Sequence, residues 1–119
     1  MNLSIYDKMA LSTFTSLEKQ SLYQLLCSVM NVDGERNPKE FAIIGEVNHI
    51  MGITVADIEA SRKLTEPVMT NCLRNMDTLK KAYVAKFMAQ IILADGKVTQ
   101  MEEMYFNYMH QRLGLPNVD

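Results

Sequence analysis

The feature that most constrains this chain is an internal repeat in which Asp-Gly, Glu and Gly recur 62 residues apart. The first copy contains Asp33, Gly34, Glu40 and Gly52, and the second contains Asp95, Gly96, Glu102 and Gly114. Apolar residues fill matching positions between them. A repeat that keeps its acids as well as its core positions predicts two similar units, each with a similar turn or a similar site.

Signals for helix starts and helix stops surround both copies of the repeat. Capping boxes precede two apolar stretches, Pro occupies a first helical position, and Gly is placed to end two helices; the residues are Thr15/Glu18, Thr99/Glu102, Pro38, Gly52 and Gly114. Between these signals apolar residues recur every three or four positions, and no hairpin signal interrupts them. We therefore expect an all-α fold, a compact bundle of six to seven short helices.

The length of 119 residues fits one domain, residues 1–119, with a core of its own. Within it we expect two pseudo-symmetric helix–Asp-Gly loop–helix units, about residues 15–53 and 77–115. Helices within residues 54–76 would connect them, the first running from Thr54 to about Leu64. Three core stripes are predicted, namely Ile44/Val47/Met51, Phe106/Met109/Leu113 and Leu79/Val84/Phe87/Met88/Ile91. Met104, Tyr105 and Tyr108 flank the second stripe and are assigned to the core, the alternative being an exposed aromatic–Met patch for a partner.

Two glutamates lie on these inward-facing stripes. Glu40 precedes Ile44 by four residues, and Glu102 precedes Phe106 by four. A buried carboxylate needs a partner, because burying an unpaired charge is costly or shifts its pKa. In one interpretation each glutamate caps its own helix by accepting from the cap residue's N–H. In the other, each glutamate holds a cation together with the Asp seven residues earlier, Asp33 or Asp95.

The seven-residue step from Asp to Glu, with Gly after the Asp, also separates positions five and twelve of an EF-hand calcium loop. The essential first ligand of that loop is missing from both copies, because Val29 and Ile91 stand in its place. A calmodulin-type calcium site is therefore not expected. A two-acid or shared site stays open beside the capping interpretation.

Composition excludes several classes of function. A formal charge of −2 argues against nucleic-acid binding, and no apolar run reaches the roughly 20 residues that a membrane span needs. Cys27 and Cys72 form no paired motif, which favours free thiols and a cytoplasmic protein. No metal-binding His/Cys cluster, phosphate loop or nucleophile motif occurs, so we expect no enzyme.

The order helix, Asp-Gly, Glu, helix, Gly, given twice around a central helical pair, resembles the TerB-like domain. That family is named after bacterial tellurite-resistance proteins, and a similar domain occurs at the N-terminus of some membrane-anchored J-proteins. The resemblance covers approximately residues 15–115 and is strongest in residues 92–98 with Glu102-Glu103, and in residues 113–115. It implies about seven helices, no established catalytic activity and a link to stress responses.

In that family the acidic residues have been proposed to bind metal ions. Carried over by position, these acids are Asp33, Glu40, Asp95 and Glu102, with Glu103 beside the last. No paired redox cysteines are present, so tellurite chemistry is not expected. We therefore expect a non-catalytic module that binds a divalent metal ion, a protein partner or both. The alternative is a pure protein-interaction scaffold whose acids are only helix caps.

Overall fold

The computed structural model describes residues 2–34 and 37–117. Within these residues the chain forms seven helices and no strand, which confirms the all-α bundle. The helices are α1 (Ile5–Leu11), α2 (Ser16–Asn31), α3 (Pro38–Met51), α4 (Val55–Ser61), α5 (Glu66–Arg74), α6 (Thr78–Leu93) and α7 (Gln100–Leu113).

Local signals in the sequence fix most of these boundaries. Thr15 and Thr99 form the predicted capping boxes with Glu18 and Glu102, because each pair exchanges hydrogen bonds between its side chains and backbone N–H groups. Gly52 and Gly114 end α3 and α7 in the left-handed conformation, both with φ of 65°. Gly34 and Gly96, in the two Asp-Gly loops, have φ of 77° and 78°. The repeat therefore builds the same turns twice, while the pseudo-twofold packing of the two units stays a prediction.

Helix α2 lies at the centre of the bundle and packs against α3, α4, α5, α6 and α7, whereas α1 packs against α3 and α6. Its apolar face is completely buried, which satisfies the expectation of a helical core stripe; the residues are Leu22, Leu25, Leu26, Val29 and Met30. The stripe of α3 is buried as predicted, as are Met109 and Leu113 of α7, while Phe106 is half-buried. Burial of these stripes against one another supplies the main favourable term in folding.

Three details differ from the sequence prediction, and the first concerns α6. Leu79 is exposed because Lys80, not Leu79, lies in line with Val84 and Phe87 on the inward face. The Lys80 ammonium lies 5.5 Å from the centroid of the Phe14 ring and 2.8 Å from Glu18 Oε1. A long side chain can cover apolar surface while its charge meets a carboxylate, so Lys80 serves where an apolar residue was expected.

The second difference concerns the outer face of α7. Met104 and Tyr108 are 63% and 52% exposed, so their assignment to the core was wrong. The inward stripe of α7 contains Glu102, Met109 and Leu113, and positions 104 and 108 lie on another face of the helix. Only Tyr105 of the trio packs partly against the core.

The third difference is the end of α4, which stops at Ser61 rather than near Leu64. The side-chain amide of Gln24 donates to the carbonyl oxygens of Ser61 and Leu64 at 2.9 and 2.8 Å. These carbonyls therefore find partners on α2, and the chain turns away toward α5.

Among the described helices, none by itself is long and apolar enough to cross a membrane. Helices α3 and α4 satisfy the same length and composition test only when taken together, across a bend of 118°.

Candidate acidic centre

The two repeat-equivalent glutamates meet inside the protein. Glu40 is the third residue of α3 and Glu102 the third of α7, and their side chains are 4% and 3% exposed. The carboxyl groups are in hydrogen-bond contact with each other. Asp33 and Asp95, in the loops that precede the two helices, lie near enough to act electrostatically on Glu40. We call these four acids the acidic centre.

The two glutamates differ in how they relate to their helix caps. The backbone N–H of Thr99 donates to Glu102 Oε1 at 3.1 Å, and the N–H of Glu102 donates to Thr99 Oγ1 at 3.1 Å, as the capping interpretation requires. In the first copy, Asn37 Oδ1 accepts from the N–H groups of Lys39 and Glu40 at 2.8 and 3.4 Å. Among the described contacts, the Glu40 carboxyl does not accept from the Asn37 N–H. Capping thus accounts for Glu102 and leaves the buried Glu40 carboxyl to be explained by its contact with Glu102.

Asn37 also joins the two copies of the repeat. Its side-chain Nδ2 donates to Asp95 Oδ2 at 2.7 Å, and Asp95 Oδ1 accepts from the N–H of Lys97 at 3.0 Å. One amide therefore caps α3 with its oxygen and holds the opposite Asp-Gly loop with its nitrogen. In the sequence, Asn37 is marked only as the residue before Pro38 at a helix start. The signal that could have found this role is that the repeat departs from symmetry here, because Thr99 stands in the equivalent position.

The electrostatics of the centre follow from burial and like charge. Burial is the largest cause that raises the pKa of Glu40, to about 8, followed by the hydrogen bond and the charge of Glu102 and by the charges of Asp95 and Asp33. At neutral pH the pair of Glu40 and Glu102 therefore holds one proton in the hydrogen bond between its two carboxyl groups. In the described part of the chain, no Lys or Arg forms an ion pair with either glutamate.

The structure separates Glu103 from the other predicted site residues. Glu103 is exposed and lines a small apolar cleft with Leu93, Val98 and Phe106. Glu102, Asp95 and Asp33 all act electrostatically on Glu40, but within residues 2–34 and 37–117 no three acidic, His or Cys side chains are arranged as a metal site. The centre is therefore a hydrogen-bonded carboxyl pair flanked by two further acids.

The fold and this centre define a class, an all-α protein of seven short helices with a duplicated Asp-Gly loop. No family model matches the chain, and no curated protein matches it. Among solved structures, the chain is similar to the crystal structure of a protein of unknown function from Porphyromonas gingivalis, with a TM-score of 0.78 and 24% sequence identity. The similarity covers 99% of this chain and 88% of that chain. It shows that the fold occurs in another protein and carries no statement about function.

Proposed function

We propose that this protein is a non-catalytic helical module that binds a divalent cation at the acidic centre. The observation that carries the proposal is the meeting of Glu40 and Glu102 in the interior, from equivalent positions of the repeat and beside two more acids. Two buried carboxylates repel each other unless a proton or a cation neutralises them. A cation that enters the centre would replace the proton shared by the pair.

The chemistry of the donors indicates which cations fit. All four side chains offer carboxylate oxygens, which suit hard ions such as Mg²⁺, Ca²⁺ and Mn²⁺ better than ions that prefer nitrogen or sulfur. The pair supplies two ligands, and a third must come from Asp33 or Asp95. For Asp95 this means exchanging the hydrogen bond from Asn37 for the cation.

The resemblance to the TerB-like domain supports the same assignment, because metal binding has been proposed for the corresponding acids of that family. On the same resemblance we propose a role in stress responses, and from the cysteines we propose a cytoplasmic location. Both cysteines are free, consistent with a reducing compartment. Glu103 is not needed for the site.

The proposal is tested by thermal unfolding of chelator-treated protein with Ca²⁺, Mg²⁺, Mn²⁺ or Zn²⁺ added separately. An ion that binds only the folded state at a hundredfold its Kd adds about 2.7 kcal/mol, which raises the Tm of a chain this long by roughly 10 °C. The double variant Glu40→Gln/Glu102→Gln should fold and lose this shift. Glu103→Gln, which removes a neighbouring acid outside the centre, should keep it. The proposal is wrong if no ion raises the Tm, or if the double variant responds as fully as the unmodified protein.

A protein-interaction scaffold is the second candidate, and the outer face of α7 favours it. Met101, Met104 and Tyr108 are each more than half exposed and lie three and four residues apart on one side of the helix. In this case the acids are structural, no ion changes the Tm, and Glu102→Ala costs about 0.5–2 kcal/mol with or without ions. The ion series therefore separates the two candidates.

A further inference from the structure

A cavity of about 430 Å³ opens beside α2, away from the four acids of the acidic centre. It lies between α2, the first turn of α3 and the end of α4. Cys27, Met30 and Phe41 form its apolar wall, and polar groups come from Tyr23, Gln24, Asn31, Ser61 and Arg62. Its volume falls in the range of small-molecule sites, roughly 300–1,000 Å³, and apolar and polar groups line it in similar measure.

Among the described residues that line this cavity, Arg62 is the only charged one. Arg62 follows the last turn of α4, is exposed, and makes no ion pair with any residue in the described part of the chain. Its positive charge reaches Tyr23 and Cys27. Burial, the largest cause in each case, raises the pKa of the Tyr23 phenol and of the Cys27 thiol, so both groups are neutral at pH 7.

Two neutral donors accompany the guanidinium. The Tyr23 hydroxyl interacts with the Cys27 thiol, which adds to the raised pKa of Tyr23, and this hydroxyl can donate to a charged oxygen that enters the cavity. The Asn31 side chain is exposed at the same cavity. A carboxylate suits the guanidinium and the two neutral donors. It carries one negative charge, and its two oxygens can accept two parallel hydrogen bonds from a single guanidinium.

The apolar wall indicates the rest of the ligand. Phe41 is 65% exposed, and it stands where the second copy of the repeat has Glu103. Phe41 thus places an aromatic ring at the cavity, whereas the equivalent position of the second copy holds a solvent-exposed acid. With Met30 it offers a surface on which an aromatic or short aliphatic body can pack.

We propose that this cavity binds a small carboxylate with an apolar body, its carboxylate on Arg62 and its apolar part against Phe41 and Met30. The site is separate from the acidic centre, so this proposal can be tested independently of cation binding. All measurements on it can be made in the presence of a chelator.

The test compares three probes that separate charge from apolar body. 3-Phenylpropionate has both, 3-phenylpropanamide keeps the ring without the charge, and propionate keeps the charge without the ring. Each is titrated into ¹⁵N-labelled protein, and the amide signals of residues 23–31, Phe41 and Arg62 are followed. We expect saturable shifts at millimolar 3-phenylpropionate and at least tenfold weaker binding of the other two probes.

Variants and a second readout make the assignment specific. Arg62→Gln should weaken 3-phenylpropionate binding at least tenfold, whereas Arg74→Gln, which removes an exposed Arg of α5, should leave it unchanged. Bound 3-phenylpropionate should also slow alkylation of Cys27 by iodoacetamide at least fivefold relative to Cys72, since Cys27 lines the cavity. Equal binding of the acid and the amide, unchanged binding by Arg62→Gln, or no saturable shift at 10 mM would each overturn the proposal.

Discussion

Glu40 is the residue at which burial and charge conflict most strongly. Its pKa, raised to about 8, exceeds the 4.5 of an ordinary glutamate, so the native state holds a proton that the unfolded chain releases between these values. The contribution of Glu40 to the free energy of unfolding should therefore be largest below pH 4.5 and fall as the pH rises to about 8. For chelator-treated protein, the free energy of unfolding from urea titrations should be at least ~2 kcal/mol lower at pH 8.5 than at pH 5. Glu40→Gln should remove most of the loss and be the more stable protein at pH 8.5, while the exposed Glu59→Gln should change nothing.

Asn37 and Thr99 occupy equivalent positions of the repeat but make different hydrogen bonds. Thr99→Ala removes a helix cap and should cost about 1 kcal/mol in urea unfolding. Asn37→Ala removes a cap and also the hydrogen bond to Asp95, a charged acceptor, and should cost at least ~1 kcal/mol more. Asn37→Thr restores the cap alone and isolates the bond to Asp95. Equal losses for Asn37→Ala and Thr99→Ala would show that this bond contributes nothing.

At the scale of elements, two glycines act on α3 in opposite ways, Gly45 inside the helix and Gly52 directly after its last residue. Gly52 ends the helix with φ of 65°, a conformation that other residues adopt only under strain, so Gly52→Ala should lower the free energy of unfolding by about 1 kcal/mol. Gly45 lies in the helix interior, where an added Cβ meets no atom within 4 Å. Gly45→Ala should therefore raise stability by roughly 0.5–1 kcal/mol. The two variants differ by one methyl group each, and the same sign for both would contradict the role given to Gly52.

The elements that could be predicted from the sequence are those whose boundaries are fixed locally. Thr15, Thr99, Gly52 and Gly114 act on residues within one turn, so the start of α2, the end of α3 and both ends of α7 follow from reading them. The end of α4 did not follow, because Gln24 determines it from another helix. The predicted burial of Leu79 was wrong for a related reason, since the stem of Lys80 occupies that place on the inward face of α6.

The candidate site was predictable in part. The repeat indicated Glu40 and Glu102 as buried acids, because both fall on inward stripes. Their contact with each other depends on how the two units pack, and no local pattern contains that information. The bridge from Asn37 to Asp95 is likewise a contact between segments far apart in the chain.

The molecule as a whole is built around α2, which contacts every helix from α3 to α7, with α1 at the periphery. Five of the six buried residues of α2 are at most 1% exposed to solvent, namely Ser21, Leu22, Leu25, Leu26 and Val29. Helix α1 contributes Leu11 to the core and leaves Ile5, Tyr6 and Met9 exposed. Regions with few buried contacts open more easily than the rest of a protein. The fold therefore consists of a six-helix body to which α1 is attached by fewer interactions.

One hydrogen bond of this attachment gives a test at the scale of the whole molecule. The Tyr83 hydroxyl of α6 donates to Asp7 Oδ1 of α1 at 2.6 Å, and this bond is the largest cause that raises the pKa of Tyr83, to about 12. In native-state hydrogen exchange, the amides of α1 should open at a lower free energy and with a weaker urea dependence than those of α2. Tyr83→Phe should lower the opening free energy of α1 by about 1 kcal/mol. Tyr105→Phe, whose hydroxyl contacts Ser28 and not α1, should leave the local opening of α1 unchanged. Identical opening free energies and urea slopes for α1 and α2 would mean that all seven described helices unfold as one unit.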